Sequence, residues 1–170
     1  MSIPDDLLPI AKQHMRVDFD DDDEIIKRYL AYAIASIENE LGWTIEQADV
    51  VWSPVLIADV SRYPTPVQPV SDFVATVGPD DVSAAFELQS TSKVSPVWLV
   101  HTDGTAFPEG IAITLTAGFT ADTLPPDIEA IVLQVAATYY EYRESVTALN
   151  LDPMPYWLRT LLDGLWIPRA

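Results

Sequence analysis

The strongest constraint on the fold lies between Pro125 and Glu144, in the stretch PPDIEAIVLQVAATYYEYRE. Pro125 and Pro126 suit the first turn of a helix, where a missing amide donor costs least and the fixed φ is already helical. Asp127 and Glu129 put negative charge at the positive end of the peptide dipole, and Arg143 falls near the opposite end. Ile128, Ile131, Val135, Tyr139 and Tyr142 share one face at three- and four-residue spacing. Val132, Ala136 and Tyr140 lie beside them, and Leu133 and Ala137 widen the stripe. A helix apolar over so much of its circumference is either central in its own domain or clamped between that domain and a neighbouring subunit. The pattern predicts a central helix.

A second amphipathic helix is predicted from Glu24 to Leu41, with Ile26, Leu30, Ala33, Ile37 and Leu41 on one face. Gly42 after Leu41 is the expected exit, since glycine takes the left-handed C′ conformation at little cost. The two helices should pack together, which makes what separates them an insertion. Before them, Asp5 to His14 predicts a short helix or turn, with Pro9 admissible only near its start. The run VDFDDDDE alternates Asp18, Asp20 and Asp22 as a calcium loop does. The glycine that such a loop needs is Asp23, and Tyr29 stands where its bidentate glutamate belongs. Helix capping by one of Asp21, Asp22 and Asp23 is the better expectation.

Positions 44 to 120 change character, with Val, Ile, Thr and aromatic residues in short runs broken by Pro, Gly and Asp. Strands are expected at Val50–Trp52, Leu56–Val60, Phe73–Val77, Ala85–Leu88, Val97–His101 and Ile111–Ala117. Turn chemistry at Gly78-Pro79-Asp80-Asp81 and Asp103-Gly104 leaves no room for crossover helices, so the pairing should be antiparallel. Pro64, Pro66 and Pro69 predict a stiff extended lead-in to the third strand. The expected fold is therefore α+β, a bundle of about four helices with a small antiparallel β insertion between the second and third. Positions 1–43 and 121–170 form its helical domain, and 44–120 the inserted subdomain.

The last of those helices runs from Pro155 through Gly164. Tyr156, Trp157, Leu158, Leu161, Leu162, Leu165, Trp166 and Ile167 give the carboxyl end much apolar surface. Two readings stand: the segment folds back on its own helices, or it docks in another protein, a role that favours Trp and Tyr.

Composition narrows the chemistry. A length of 170 residues with 49% apolar content suffices for one ordinary domain or a domain with one insertion. The absence of cysteine removes disulfides and thiolate metal sites. The opening MSIPDDLLPIAKQHMR has no basic region followed by an apolar run, and no stretch approaches the roughly twenty apolar residues of a membrane span, so an untargeted soluble protein is expected. Twenty-six acidic against nine basic residues, a net charge of -17, disfavours direct nucleic-acid binding. That excess serves solubility, or lets a polyanion pass an acidic wall without sticking. His14 and His101 lack partners at ligand spacing, no glycine-rich phosphate loop or nucleophile elbow is present, and no carboxylate pair stands out. No catalytic, cofactor-binding or metal site is expected, and no cofactor.

The order of features resembles that of the head-tail connector, or adaptor, proteins of long-tailed bacteriophages. The residues that carry the resemblance are LLPIAKQHMRVDFDDDDEIIKRYLAYAIASIENELGW, PVQPVSDF, FPEGIAITLTAGFT, LPPDIEAIVLQVAATYYEYRES and PYWLRTLLDGLWIPRA. The resemblance implies a virion protein that forms a ring, commonly of twelve copies, on the portal at the capsid vertex. Such a ring extends the DNA channel toward the tail. It implies partners in the portal protein, a tail or neck protein and further copies of the chain, with DNA passing unbound. Tyr156 to Ile167 would then dock on the portal. A closed ring also needs two complementary patches per subunit, for one of which Leu133, Ala137 and Tyr140 of the central helix are the candidates. The competing expectation is a monomeric ligand- or peptide-binding module built on the β insertion; a hydrolase with paired carboxylates ranks third.

Overall fold

A computed structural model describes residues 2–56, 59–90 and 97–141. These residues fall into two compact units, 2–41 with 119–141, and 42–118.

The first unit is helical, with α1 (Ile3–Met15), α2 (Asp23–Leu41) and α3 (Pro126–Glu141) packed against one another. α1 is longer than the sequence predicts and carries Pro9 in its interior. Its start is fixed by Ser2, whose hydroxyl accepts from the Asp5 amide and donates to the Asp5 carboxylate. Arg16 ends it in the left-handed conformation, with the Val17 amide donating back to the Lys12 carbonyl at 2.9 Å. Ile26, Leu30, Ala33 and Ile37 of α2 have no exposure, nor do Val132 and Ala136 of α3. α3 is central: Ile128, Ile131, Leu133, Val135 and Ala137 are buried as well. The stripe that defined it in the sequence is therefore covered from Ile128 to Ala137, with Tyr139 and Tyr140 half-buried and Tyr142 outside the described residues.

The second unit corrects the expected fold. The β region is no small insertion on a four-helix bundle: the described residues form three α-helices and seven strands in two antiparallel sheets. One sheet has the order β1 (Ala48–Trp52), β7 (Ile111–Ala117), β3 (Val70–Val77), β4 (Asp80–Asp81). The other runs β2 (Arg62–Pro64), β6 (Trp98–His101), β5 (Phe86–Gln89). The prolines explain why the sequence undercounts. Pro64 closes β2 and Pro69 precedes β3, so the lead-in holds a short strand and then passes to the other sheet. The strand expected at Leu56–Val60 does not form at its described positions, where Leu56 and Val60 pack on the core instead. The fourth helix expected from Pro155 lies outside the described residues.

Both sheets fill one core. Tyr63, Phe86 and Leu99 come from the three-stranded sheet, Ala75, Ile111, Ile113 and Leu115 from the four-stranded one, and Phe107 from the loop before β7. Phe107 stands 4.8 Å from both Tyr63 and Phe86, centroid to centroid, in the tilted arrangements that ring quadrupoles favour. Strict alternation in β7 places Ile111, Ile113, Leu115 and Ala117 inward and Ala112, Thr114 and Thr116 outward.

Candidate functional site

The helical unit concentrates its polar chemistry around the acidic loop ahead of α2. Lys12 of α1 reaches that loop with Nζ 2.6 Å from Asp20 Oδ1 and 2.6 Å from Asp23 Oδ1. Lys27 of α2 does the same in reverse, meeting Asp5 of α1 at 3.1 Å and Glu24 at 3.3 Å. The hydrogen bond from Lys12 holds the Asp20 carboxyl below its usual range, and the bonds to Asp20 and Asp23 raise Lys12. The Ser2 hydroxyl, then Lys27, lowers Asp5. Asp22 is engaged from α3, where Tyr140 Oη donates to its Oδ2 at 2.6 Å. The loop's carboxylates thus clamp three helices, and its backbone starts the second: the Asp22 carbonyl accepts from the Ile26 amide at 2.9 Å.

Where α2 and α3 meet, four tyrosines form a cluster. Tyr29 stacks on Tyr139 at 6.2 Å and meets Tyr140 edge-on at 6.4 Å, while Tyr32 meets Tyr139 edge-on at 6.5 Å. Of the three residues expected at a subunit interface, Leu133 and Ala137 are 7% and 9% exposed, and Tyr140 is half-buried with its hydroxyl turned to Asp22. Tyr32, which periodicity did not single out, is 58% exposed at its contact with Tyr139. The eight residues expected to dock on the portal, Tyr156 to Ile167, lie outside the described residues.

In the β unit the outer face of the four-stranded sheet has a defined order. Asp49, Thr116 and Asp72 lie abreast across β1, β7 and β3, and Val51, Thr114 and Val74 form the next outward row. Val51 is 73% and Val74 48% exposed. Sequence reading missed this row because a valine in a strand looks the same on either face; only the partner register separates them. His101, by contrast, packs its ring edge-on to Phe86 at 4.8 Å, with Thr105 Oγ1 3.2 Å from its Nδ1.

This architecture has counterparts among known proteins, and they begin at α1. Residues 6–68 match the phage gp6-like head-tail connector proteins. The match covers most of α1, all of α2 and the chain through β1 and β2, and it shows the resemblance drawn from the sequence. Solved structures extend the likeness of fold along the chain. A protein in the neck of an empty gene transfer agent particle, computed with C6 symmetry, aligns over 96% of this chain and 90% of its own at 22% identity, with a TM-score of 0.72. A component of the native gene transfer agent virion aligns over the same shares at 21% identity and a TM-score of 0.73. A third, from the native neck computed with C12 symmetry, aligns over 100% of this chain and 94% of its own at 22% identity and a TM-score of 0.69. No curated protein matches the chain significantly.

Proposed function

We propose that this protein is a structural component of a virion neck, a head-tail adaptor that forms a ring between portal and tail and extends the DNA channel. The observation that carries the reading is the coincidence of two likenesses. A connector-family match covers α1 and α2, and a shared fold over almost the whole chain links it to proteins of solved necks. Its place is then the head-tail interface of the particle, reached from the host cytoplasm during assembly. The role requires no catalysis.

The ring would hold twelve copies, a number supported by the C12 symmetry of one related neck. Positions 1–43 and 121–170 would serve as the connector domain and 44–120 as its insertion. Contacts between copies would use Leu133, Ala137 and Tyr140 of α3, together with the exposed Tyr32 of α2 that meets Tyr139. Tyr156 to Ile167 would bury their aromatic and aliphatic side chains in the portal, and tail or neck proteins would take the opposite side. The strong negative charge suits a wall along which DNA passes unbound.

The test is co-sedimentation of the full chain, and of a chain ending before Pro155, with purified portal rings. The full chain is expected to sediment with the rings and the shortened one to stay in solution. Equal sedimentation of both removes the docking role from the carboxyl end, and failure of both removes the portal as partner.

A further inference from the structure

The neck reading assigns contacts to helices and to the carboxyl end but gives the β unit no partner. Its four-stranded sheet nevertheless presents an outer face with an order that a merely solvated face does not need. Val51, Thr114 and Val74 lie side by side on β1, β7 and β3, since both valines are register partners of Thr114. The row before them is Asp49, Thr116 and Asp72, and the row after them brings Ala112, Thr76 and Asp81 abreast on β7, β3 and β4. A row in which two exposed valines flank a threonine thus lies between two rows that carry carboxylates.

These carboxylates are fixed in place. Asp49 Oδ1 accepts from Thr116 Oγ1 at 2.8 Å, Asp72 Oδ1 accepts from the Phe73 amide at 2.8 Å, and Asp81 Oδ1 accepts from the Ser83 hydroxyl at 2.6 Å and amide at 2.9 Å. The serine hydroxyl, then its amide, holds Asp81 below the usual carboxylate range. No lysine or arginine pairs with any of the three among the described residues. The β unit has few to offer: its sequence from 42 to 118 contains only Arg62 and Lys93, and Arg62 lies on the other sheet, 5.1 Å over the Trp98 ring.

We propose that this face docks a different protein of the particle, one whose contact surface carries a small aliphatic ridge flanked by Lys or Arg side chains. The ridge packs on Val51 and Val74, and its cations meet Asp49 and Asp72 at one end and Asp81 at the other. Charge complementarity selects that occupant. A second copy of the same face would oppose carboxylate to carboxylate, and DNA would be repelled, whereas a basic surface is drawn in and set in register. The proposal goes beyond the ring reading and rests on it only for the particle used as probe.

The experiment places a photoreactive benzoylphenylalanine at Val74 of the full chain, assembles particles with it, irradiates them and identifies the adduct by mass spectrometry. The expected adduct joins position 74 to a different protein chain within a segment containing Lys or Arg. Asp49→Lys with Asp72→Lys should lower its yield at least tenfold, and Asp49→Glu with Asp72→Glu should preserve it. An adduct to another copy of this chain or to DNA overturns the proposal, as does a yield indifferent to charge reversal. Particles that contain the chain but give no interchain adduct overturn it while leaving the neck reading intact. Absence of the unmodified chain from purified particles overturns both.

Discussion

Tyr140 Oη and Asp22 Oδ2 lie 2.6 Å apart although 118 positions separate them in the chain. The bond joins the residue before α2 to the last described turn of α3, and its acceptor is a carboxylate, the kind of hydrogen bond that is short and comparatively strong. Tyr140→Phe keeps the ring against Tyr29 and removes only the donor. The expected loss is about 1.5–3 kcal/mol of stability. For a chain of this length that is a fall of roughly 3–12 °C in Tm, read by scanning calorimetry.

The clamps built by Lys12 and Lys27 predict a dependence on pH at both extremes. Asp5 and Asp20 titrate below the ordinary carboxylate value of 3.8 when folded, because hydrogen bonds favour their charged forms. Their contribution is present above 3.8 and disappears as pH falls through the lower folded values. Lys12 and Lys27 are raised above 10.5, so their contribution is complete below that value and is lost only as pH rises through the raised values. Lys12→Met should flatten part of the acid limb, measured as the urea midpoint between about pH 5 and about pH 2. An unchanged acid limb would show that the clamp does not contribute.

The two faces of the four-stranded sheet should respond very differently to truncation. Ile113 has no exposure, and Ile113→Ala should cost about 2–5 kcal/mol through lost burial and the cavity left behind. Val51 belongs to the adjoining outward row, and Val51→Ala should change stability of the isolated chain by less than about 0.5 kcal/mol. Chemical denaturation of the two variants checks the inward and outward assignment.

Gly118 marks a close approach that no larger residue fits. A Cβ there would stand 2.8 Å from the Glu46 carbonyl oxygen, and its φ of +92° is unfavourable for any side chain. Gly118→Ala should cost about 1–3 kcal/mol. Gly104 also has a positive φ but nothing within 4 Å of the added methyl, so Gly104→Ala should cost the smaller amount. Equal losses would contradict a steric role for the Glu46 backbone.

The contrast between elements shows what a sequence reveals. α2 and α3 were legible because Ile26, Leu30, Ile37 and the stripe of α3 repeat at helical spacing over many residues. β7 was legible for the same reason at a period of two, its isoleucines and leucine alternating with threonine. α1 was read too short, since Pro9 signals a break that tertiary packing overrides. The partition of the strands into two sheets was hidden because it depends on which strand pairs with which, and β2, only three residues ending in a proline, has no period at all. The clamp of Lys12 on Asp20 and Asp23 was hidden too: the acidic run predicted capping, but its cation comes from another helix. The outward valines escaped for the same cause, since exposure is a property of register and not of residue type.

The central proposal is that this chain is one of several identical subunits seated on a portal. Electron microscopy of the purified protein mixed with portal rings tests it most directly. The account predicts an added ring of density coaxial with the portal, with the same rotational symmetry as the subunits that form it. Bare portal rings beside free monomers, at concentrations well above those of both partners in an assembling cell, would contradict it.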